Sequence, residues 1–263
     1  MRVLVIGNSH AACVIEAWRM REGQERADGG LQLDFLAGAG SVLKEFGFDG
    51  LRVFALTPKG RAFQRRLGQP DMFVLADYDA IAVIGLELSI FRLVHIVGRN
   101  HVLGWDYENR NDLAVITRAC LRDALSDAVD ATGAAMILRR LGPVAAAKGL
   151  RLLAVTQPYP ARAILDDARG AGFALIARAG IGPQCREMYE TVAAARMSAL
   201  GAGYLPQPQQ SVIDDILTDR TFTAGAKRLV DLTKSQPPED VLHANAAYGA
   251  SVIDRIRSAV EAG

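Results

Sequence analysis

Arg2-Val-Leu-Val-Ile-Gly-Asn-Ser-His10 is the stretch on which the fold reading turns. Val3 to Ile6 is an unbroken apolar run, rich in β-branched residues and stopped by Gly7. A run with no polar alternation has no solvent face, so it fits a strand covered on both sides, as in a parallel sheet. Asn8 or Ser9 can then cap a helix reaching about Arg21, with Ala12, Ile15, Ala17 and Trp18 forming its buried stripe.

The pattern recurs downstream. Leu31 to Leu36 reads as a second strand with the glycine-rich exit Gly38-Ala-Gly40, Asp79 to Gly85 as a third, and Leu150 to Thr156 as a fourth stopped by Pro158 and Pro160. Val212 to Leu217 is expected to be a final short strand. Helical patterns run over Leu113–Asp130, Ala134–Lys148 and Glu187–Leu200. The last covers Ala244–Glu261, with Val252, Ile253, Ile256 and Val260 on one face. Residues 52–76 read as a small insertion, with short strands at Leu51–Leu56 and Met72–Leu75 around a basic helix. Strands alternating with helices predict a doubly wound α/β sheet with helices on both faces. No linker divides the chain, so a single domain over residues 1–263 is expected.

Composition narrows the function classes. Half of the residues are hydrophobic and 22% are charged, which excludes a disordered chain. The formal net charge of +1 offers no global field for nucleic acid or an anionic membrane. Lys59, Arg61, Arg65 and Arg66 form a short basic run that reads as a solvated helix face. Cys13, Cys120 and Cys185 are far apart with no CxxC pair, so neither a disulfide framework nor a zinc site is expected. His95 and His101 lack a carboxylate pattern around them, and no metal is expected there. Gly38-Ala-Gly40 lacks the third glycine of a dinucleotide fingerprint, so no cofactor is expected. No stretch approaches the ~20 apolar residues of a membrane span, and the N-terminal run is too short for a signal peptide. The expectation is a cytoplasmic protein with neither membrane nor nucleic-acid partner.

Ligands of open α/β sheets bind beyond the carboxyl ends of the strands. Ser9 stands there after the first strand, where the next backbone N–H groups can face an oxyanion. A serine needs a base, and His243 can supply it if its loop lies over the same edge; Asp240, three residues earlier, can hold the other imidazole nitrogen. Gly40 can offer a backbone N–H, with Gly38 as close competitor. Ser9 has a second reading, as a plain helix N-cap. His10 can line the pocket or sit as a surface or capping group. Tyr159 is a pocket wall or part of a rigid loop, Cys13 is buried packing, and Tyr248-Gly249 packs the last helix on the sheet.

Val3-Leu-Val-Ile-Gly-Asn-Ser-His10 resembles the first block of the SGNH/GDSL hydrolase superfamily, in which the nucleophile follows a strand as Gly-Asp-Ser. Asp240-Val-Leu-His243 resembles its last block, Asp-x-x-His. The spacing of the two blocks is similar to that of a single-domain member. The resemblance implies a flavodoxin-like three-layer αβα fold with a five-stranded parallel sheet. It also implies Ser9 as nucleophile, His243 as general base and Asp240 as its orienter. Oxyanion donors would be the Ser9 N–H, a glycine after the second strand, and an asparagine after the third. Two departures stand out. Asn8 replaces the aspartate before the nucleophile and keeps its capping ability. Gly85-Leu-Glu-Leu88 stands where the family has Gly-x-Asn-Asp, so Glu87 replaces an amide donor; ionised it would repel an oxyanion, protonated it could donate. Asn100 is the candidate substitute.

Three functions follow as expectations. The first is a serine esterase cleaving a small acyl group, with an O-acetyl carbohydrate or polysaccharide as the substrate class that the resemblance implies. The second is an acyltransferase using the same dyad on a sugar hydroxyl. The third is a non-catalytic binding protein in which Glu87 spoils the oxyanion hole.

Overall fold

Four of the apolar runs and one short glycine-containing segment pair into one all-parallel sheet. The computed structural model describes residues 1–27, 30–38, 45–105 and 113–262. The strands are β1 (Arg2–Gly7), β2 (Gln32–Ala37), β3 (Ala80–Ile84), β4 (Arg151–Val155) and β5 (Ala202–Leu205), in the order β2-β1-β3-β4-β5. Val5 pairs with Phe35 on one side and Ala82 on the other, which sets β1 between β2 and β3. The chain leaves β1 toward β2 and then returns to the other side of β1, so the switch point lies between the carboxyl ends of β1 and β3.

Helices cover both faces, which is why the strands show no polar alternation. Val3, Val5, Leu33 and Phe35 pack beneath α1 (Ala12–Ala27) and α8 (Ala246–Glu261) through Val14, Trp18, Tyr248 and Val252. The opposite face carries Leu4, Ile6, Ile81 and Val83. It is covered by α3 (Phe91–Val97), α4 (Arg118–Asp130), α5 (Gly133–Lys148), α6 (Ala171–Ala179) and α7 (Gly182–Ala199), with Leu93, Leu125, Leu138, Phe173 and Tyr189 among the side chains at the contact. Each such aliphatic or aromatic side chain contributes about 1.5–3 kcal/mol on burial. Among the described residues, no helix is long and apolar enough to cross a membrane.

Several elements differ from the expectation. The fifth strand is Ala202–Leu205, whereas Val212–Ile213 and Leu217–Thr218 form a separate antiparallel ribbon. Asp214 and Asp215 take left-handed φ of 46° and 62° between them and turn the chain back, so 212–217 cannot extend as one strand. The expected helix from Leu113 begins only at Arg118, because Thr117 caps it by accepting the Cys120 N–H at 3.1 Å. Its first part, Ala114–Ile116, pairs in parallel with Asn100–Val102. The insertion starts before residue 52: Phe46–Phe48, Arg52–Ala55 and Met72–Val74 form a three-stranded antiparallel sheet. It carries α2 (Pro58–Arg66), whose Lys59, Arg65 and Arg66 are exposed. The helices α3 and α6 had no counterpart in the reading of the sequence.

One close approach joins the two ends of the chain. A Cβ added at Gly249 in α8 would fall 2.0 Å from the Cys13 carbonyl oxygen in α1. Only a residue without a side chain lets the two backbones meet there. Replacing it forces the helices apart at a cost of about 2–3 kcal/mol. Gly249→Ala should therefore lower the thermal midpoint by roughly 4–10 °C, measured by differential scanning calorimetry; an unchanged midpoint would contradict this account of the helix contact.

Candidate active site

The start of α1 and the approach to α8 converge over the switch point. Asn8 opens the helical segment: its side-chain oxygen accepts the His10 N–H at 3.2 Å and its carbonyl accepts the Ala11 N–H at 3.0 Å. Capping thus falls to Asn8, and Ser9 occupies the first helical position with its side chain free for other contacts. At that position the backbone N–H has no intrahelical acceptor, and the helix N-terminus favours negative charge beside it.

The other half comes from the segment before α8. Asn245 caps that helix, accepting from Ala247 N–H at 3.0 Å, and its amide donates to the Thr221 and Ala224 carbonyls, each at 2.9 Å. Asp240 is held by its own N–H on Pro237, and the adjacent Val241 carbonyl accepts from Ala161. The loop so pinned brings His243 across 234 positions of sequence to Ser9, with Nε2 3.1 Å from Oγ. Its Nδ1 lies 3.0 and 3.1 Å from the Asp240 carboxylate oxygens, and Asp240 Oδ2 also accepts the His243 backbone N–H at 3.0 Å.

No protein-family profile matches this chain, and no curated protein matches it significantly.

The protonation pattern follows from the geometry. Burial pushes the Asp240 carboxyl up, but the His243 ring and the backbone N–H groups of His243 and Leu242 outweigh it and hold the carboxyl below its ordinary value. As a carboxylate it only accepts, so Nδ1 carries the imidazole proton and Nε2 presents its lone pair to the Ser9 hydroxyl. His243 and Asp240 side chains are only 17% and 15% exposed, which shelters their interaction from solvent screening.

The remaining residues fare differently. Gly38 is buried, and its N–H donates to the Gly7 carbonyl at 3.2 Å, which leaves it no proton for an oxyanion. Gly40 lies outside the described residues. Asn100, the candidate substitute donor, lies just past the end of α3, where one of its Nδ2 hydrogens is donated to the Ile96 carbonyl at 2.8 Å. Tyr159 is no pocket wall but core, 1% exposed, with its hydroxyl on Glu190 at 3.0 Å and its N–H on Gln207 at 2.6 Å. Cys13 is buried, donates to the His10 carbonyl at 3.1 Å, and burial pushes its thiol up to about 12, so it stays protonated.

Glu87 sits in an unusual turn. Gly85, Leu86 and Glu87 are successive left-handed residues, with φ of 69°, 49° and 70°. Non-glycine residues there cost of order 1–3 kcal/mol each. The turn is held by Leu88 N–H on Gly85, Ala134 N–H on Leu86 and Gln157 N–H on Leu88. This geometry leaves the Glu87 side chain 61% exposed and paired with Arg92 at 2.5 Å. Gly85 itself packs on Asn8 and His10; a Cβ there would lie 2.7 Å from Asn8 Oδ1.

His10 is buried beside His243. Burial first, and then the neighbouring His243, push its imidazole from 6.5 down to about 3, against the pull of Asp240. Between those values the unfolded chain binds a proton that the folded one refuses, so this contribution is complete above 6.5 and is lost as pH falls toward 3. At pH 4.5 the loss is about 2–3 kcal/mol. His10→Phe has no proton to bind, and denaturant titrations at pH 7 and 4.5 should show a smaller acid loss than in the parent protein. Equal losses in the two proteins would refute the assignment to His10.

Proposed function

We propose that this chain is a serine esterase of the SGNH type, acting on a small acyl ester, with an O-acetylated carbohydrate as the favoured substrate class. The observation that carries the reading is the linear Ser9–His243–Asp240 arrangement at the strand ends, with both hydrogen bonds near 3 Å. The similarity of the Gly7-Asn-Ser9 and Asp240-x-x-His243 blocks to that superfamily, and the β2-β1-β3-β4-β5 parallel sheet, are in keeping with it.

The chemistry follows the geometry. Ser9 Oγ bonds to the ester carbonyl carbon as His243 Nε2 takes its proton. The imidazolium is stabilised by Asp240, and the oxyanion by the Ser9 N–H at the helix start. The tetrahedral adduct collapses, the bond to the leaving alkoxide breaks, and His243 returns the proton to that oxygen. Water then repeats the sequence: His243 takes its proton, its oxygen attacks the acyl carbon, and Ser9 leaves protonated.

The exposed Glu87–Arg92 pair weakens the case for a non-catalytic protein, since that carboxylate is neutralised by its partner. A fluorophosphonate probe should label Ser9, detected by mass spectrometry of the modified peptide, and Glu87→Gln should be labelled at a rate within about threefold of the parent, the usual scale of an exposed ion pair. An intact protein that gives no Ser9 adduct would sink the proposal.

A further inference from the structure

The imidazole of His10 lies face to face with that of His243, ring centroids 4.9 Å apart and planes inclined by 20°. Two in-plane hydrogen bonds, one at each nitrogen, leave a ring free to tilt about the line joining its partners. A flat surface against one face removes that freedom. From this juxtaposition we infer that His10 is a positioning residue: its ring fixes the plane in which His243 meets Ser9 with one nitrogen and Asp240 with the other. The inference rests on the hydrolase reading for its effect on rate, but not for its effect on the ring.

His10 is suited to this because it is itself immobilised. Its N–H is bound to Asn8 Oδ1 and its carbonyl accepts from Cys13 Sγ. Gly85 packs close against it, where a Cβ would lie 3.3 Å from His10 Cβ and 3.4 Å from Cδ2. The left-handed turn that begins at Gly85 therefore also shapes the seat of the His10 ring.

Among the described residues, His10 Nδ1 is buried with no hydrogen-bond partner, an uncompensated desolvation that an apolar side chain of similar shape would avoid. A neutral aromatic face does serve the reaction. When His243 takes the Ser9 proton it becomes a cation, and a cation over an aromatic face is attracted to it. Burial keeps His10 from competing for that proton.

The test compares His10→Ala and His10→Phe with the parent protein by two readouts. The first is kcat and KM for p-nitrophenyl acetate. The second is the downfield NMR signal of the His243 Nδ1 proton in its bond to Asp240, which does not depend on turnover. His10→Ala should lower kcat by about 10- to 100-fold, the cost of an angstrom-scale misplacement, with KM within about twofold. Its Nδ1 signal should broaden through exchange. His10→Phe should keep the signal and recover most of the rate. An alanine variant that keeps both the signal and kcat overturns the inference, as does a folded phenylalanine variant that behaves like alanine. His10→Leu serves as the unstacked comparison if the alanine variant does not fold. A parent protein that shows the signal and its dependence on His10 but no esterase activity would leave the positioning role standing and remove the hydrolase reading.

Discussion

Ser9→Ala should reduce kcat for a short-chain p-nitrophenyl ester by at least about 10⁴-fold, while the thermal midpoint moves by only a few degrees. The first figure is the scale of losing a nucleophile that works as a unit with its base, where what survives is binding and oxyanion stabilisation. The second follows from where the capping bond lies. Asn8, not Ser9, accepts the His10 N–H, so the alanine variant keeps its helix start. Among the described residues, the side-chain contact it loses is the 3.1 Å hydrogen bond to His243, about 1 kcal/mol in net stability. Steady-state kinetics and a thermal melt on the same preparation separate the two effects. A residual rate within tenfold of the parent would show that the hydroxyl is not the nucleophile. A collapse of the midpoint would show that the serine is chiefly structural.

The contrast between Asn8 and Ser9 shows what the sequence could and could not settle. Both are good capping residues, and only the backbone distinguishes the residue whose oxygen meets an N–H from the one whose hydroxyl is left over. The buried runs of β1, β3 and β4 were legible because coverage on both faces removes polar alternation, a property of each segment taken alone. β5 was not, since Ala202-Gly-Tyr-Leu205 has no β-branched residue and becomes a strand by pairing with β4. At the site, Ser9 and the Asp240/His243 pair could be placed beside the first strand and the last helix. Their meeting depends on contacts between distant elements: the Asn245 cap that pins the loop, and the Gly249–Cys13 approach of α8 to α1. The stack of His10 on His243 had no local signal either. Glu87 was legible as a departure from the family pattern, but three left-handed residues in a row are not something that its neighbours announce.

Asp240→Asn should cost about as much as the loss of the nucleophile, roughly 10⁴-fold in kcat, although it changes a single atom pair. The reason is how the two carboxylate oxygens are used. Oδ2 accepts the His243 backbone N–H at 3.0 Å, and Oδ1 accepts from His243 Nδ1 at 3.0 Å. An asparagine has one acceptor oxygen. If it stays on the backbone N–H, at the Oδ2 position 3.1 Å from Nδ1, the amide NH2 takes over the closer 3.0 Å contact with Nδ1, and two donors cannot share that contact. The imidazole then shifts its proton to Nε2, which turns the base toward Ser9 with a hydrogen instead of a lone pair. The charge that would steady the imidazolium is also gone. Because Asp240 is held below its ordinary value in the folded protein, its stabilising contribution is present above about 3.8 and is lost as pH falls through the depressed folded value. The stability deficit of Asp240→Asn should therefore be visible at pH 7 and shrink in strong acid. Kinetics at pH 7 together with denaturant titrations at pH 7 and 3 would read both effects. A variant that keeps more than a tenth of the parent kcat would show that the carboxylate does not set the tautomer of His243.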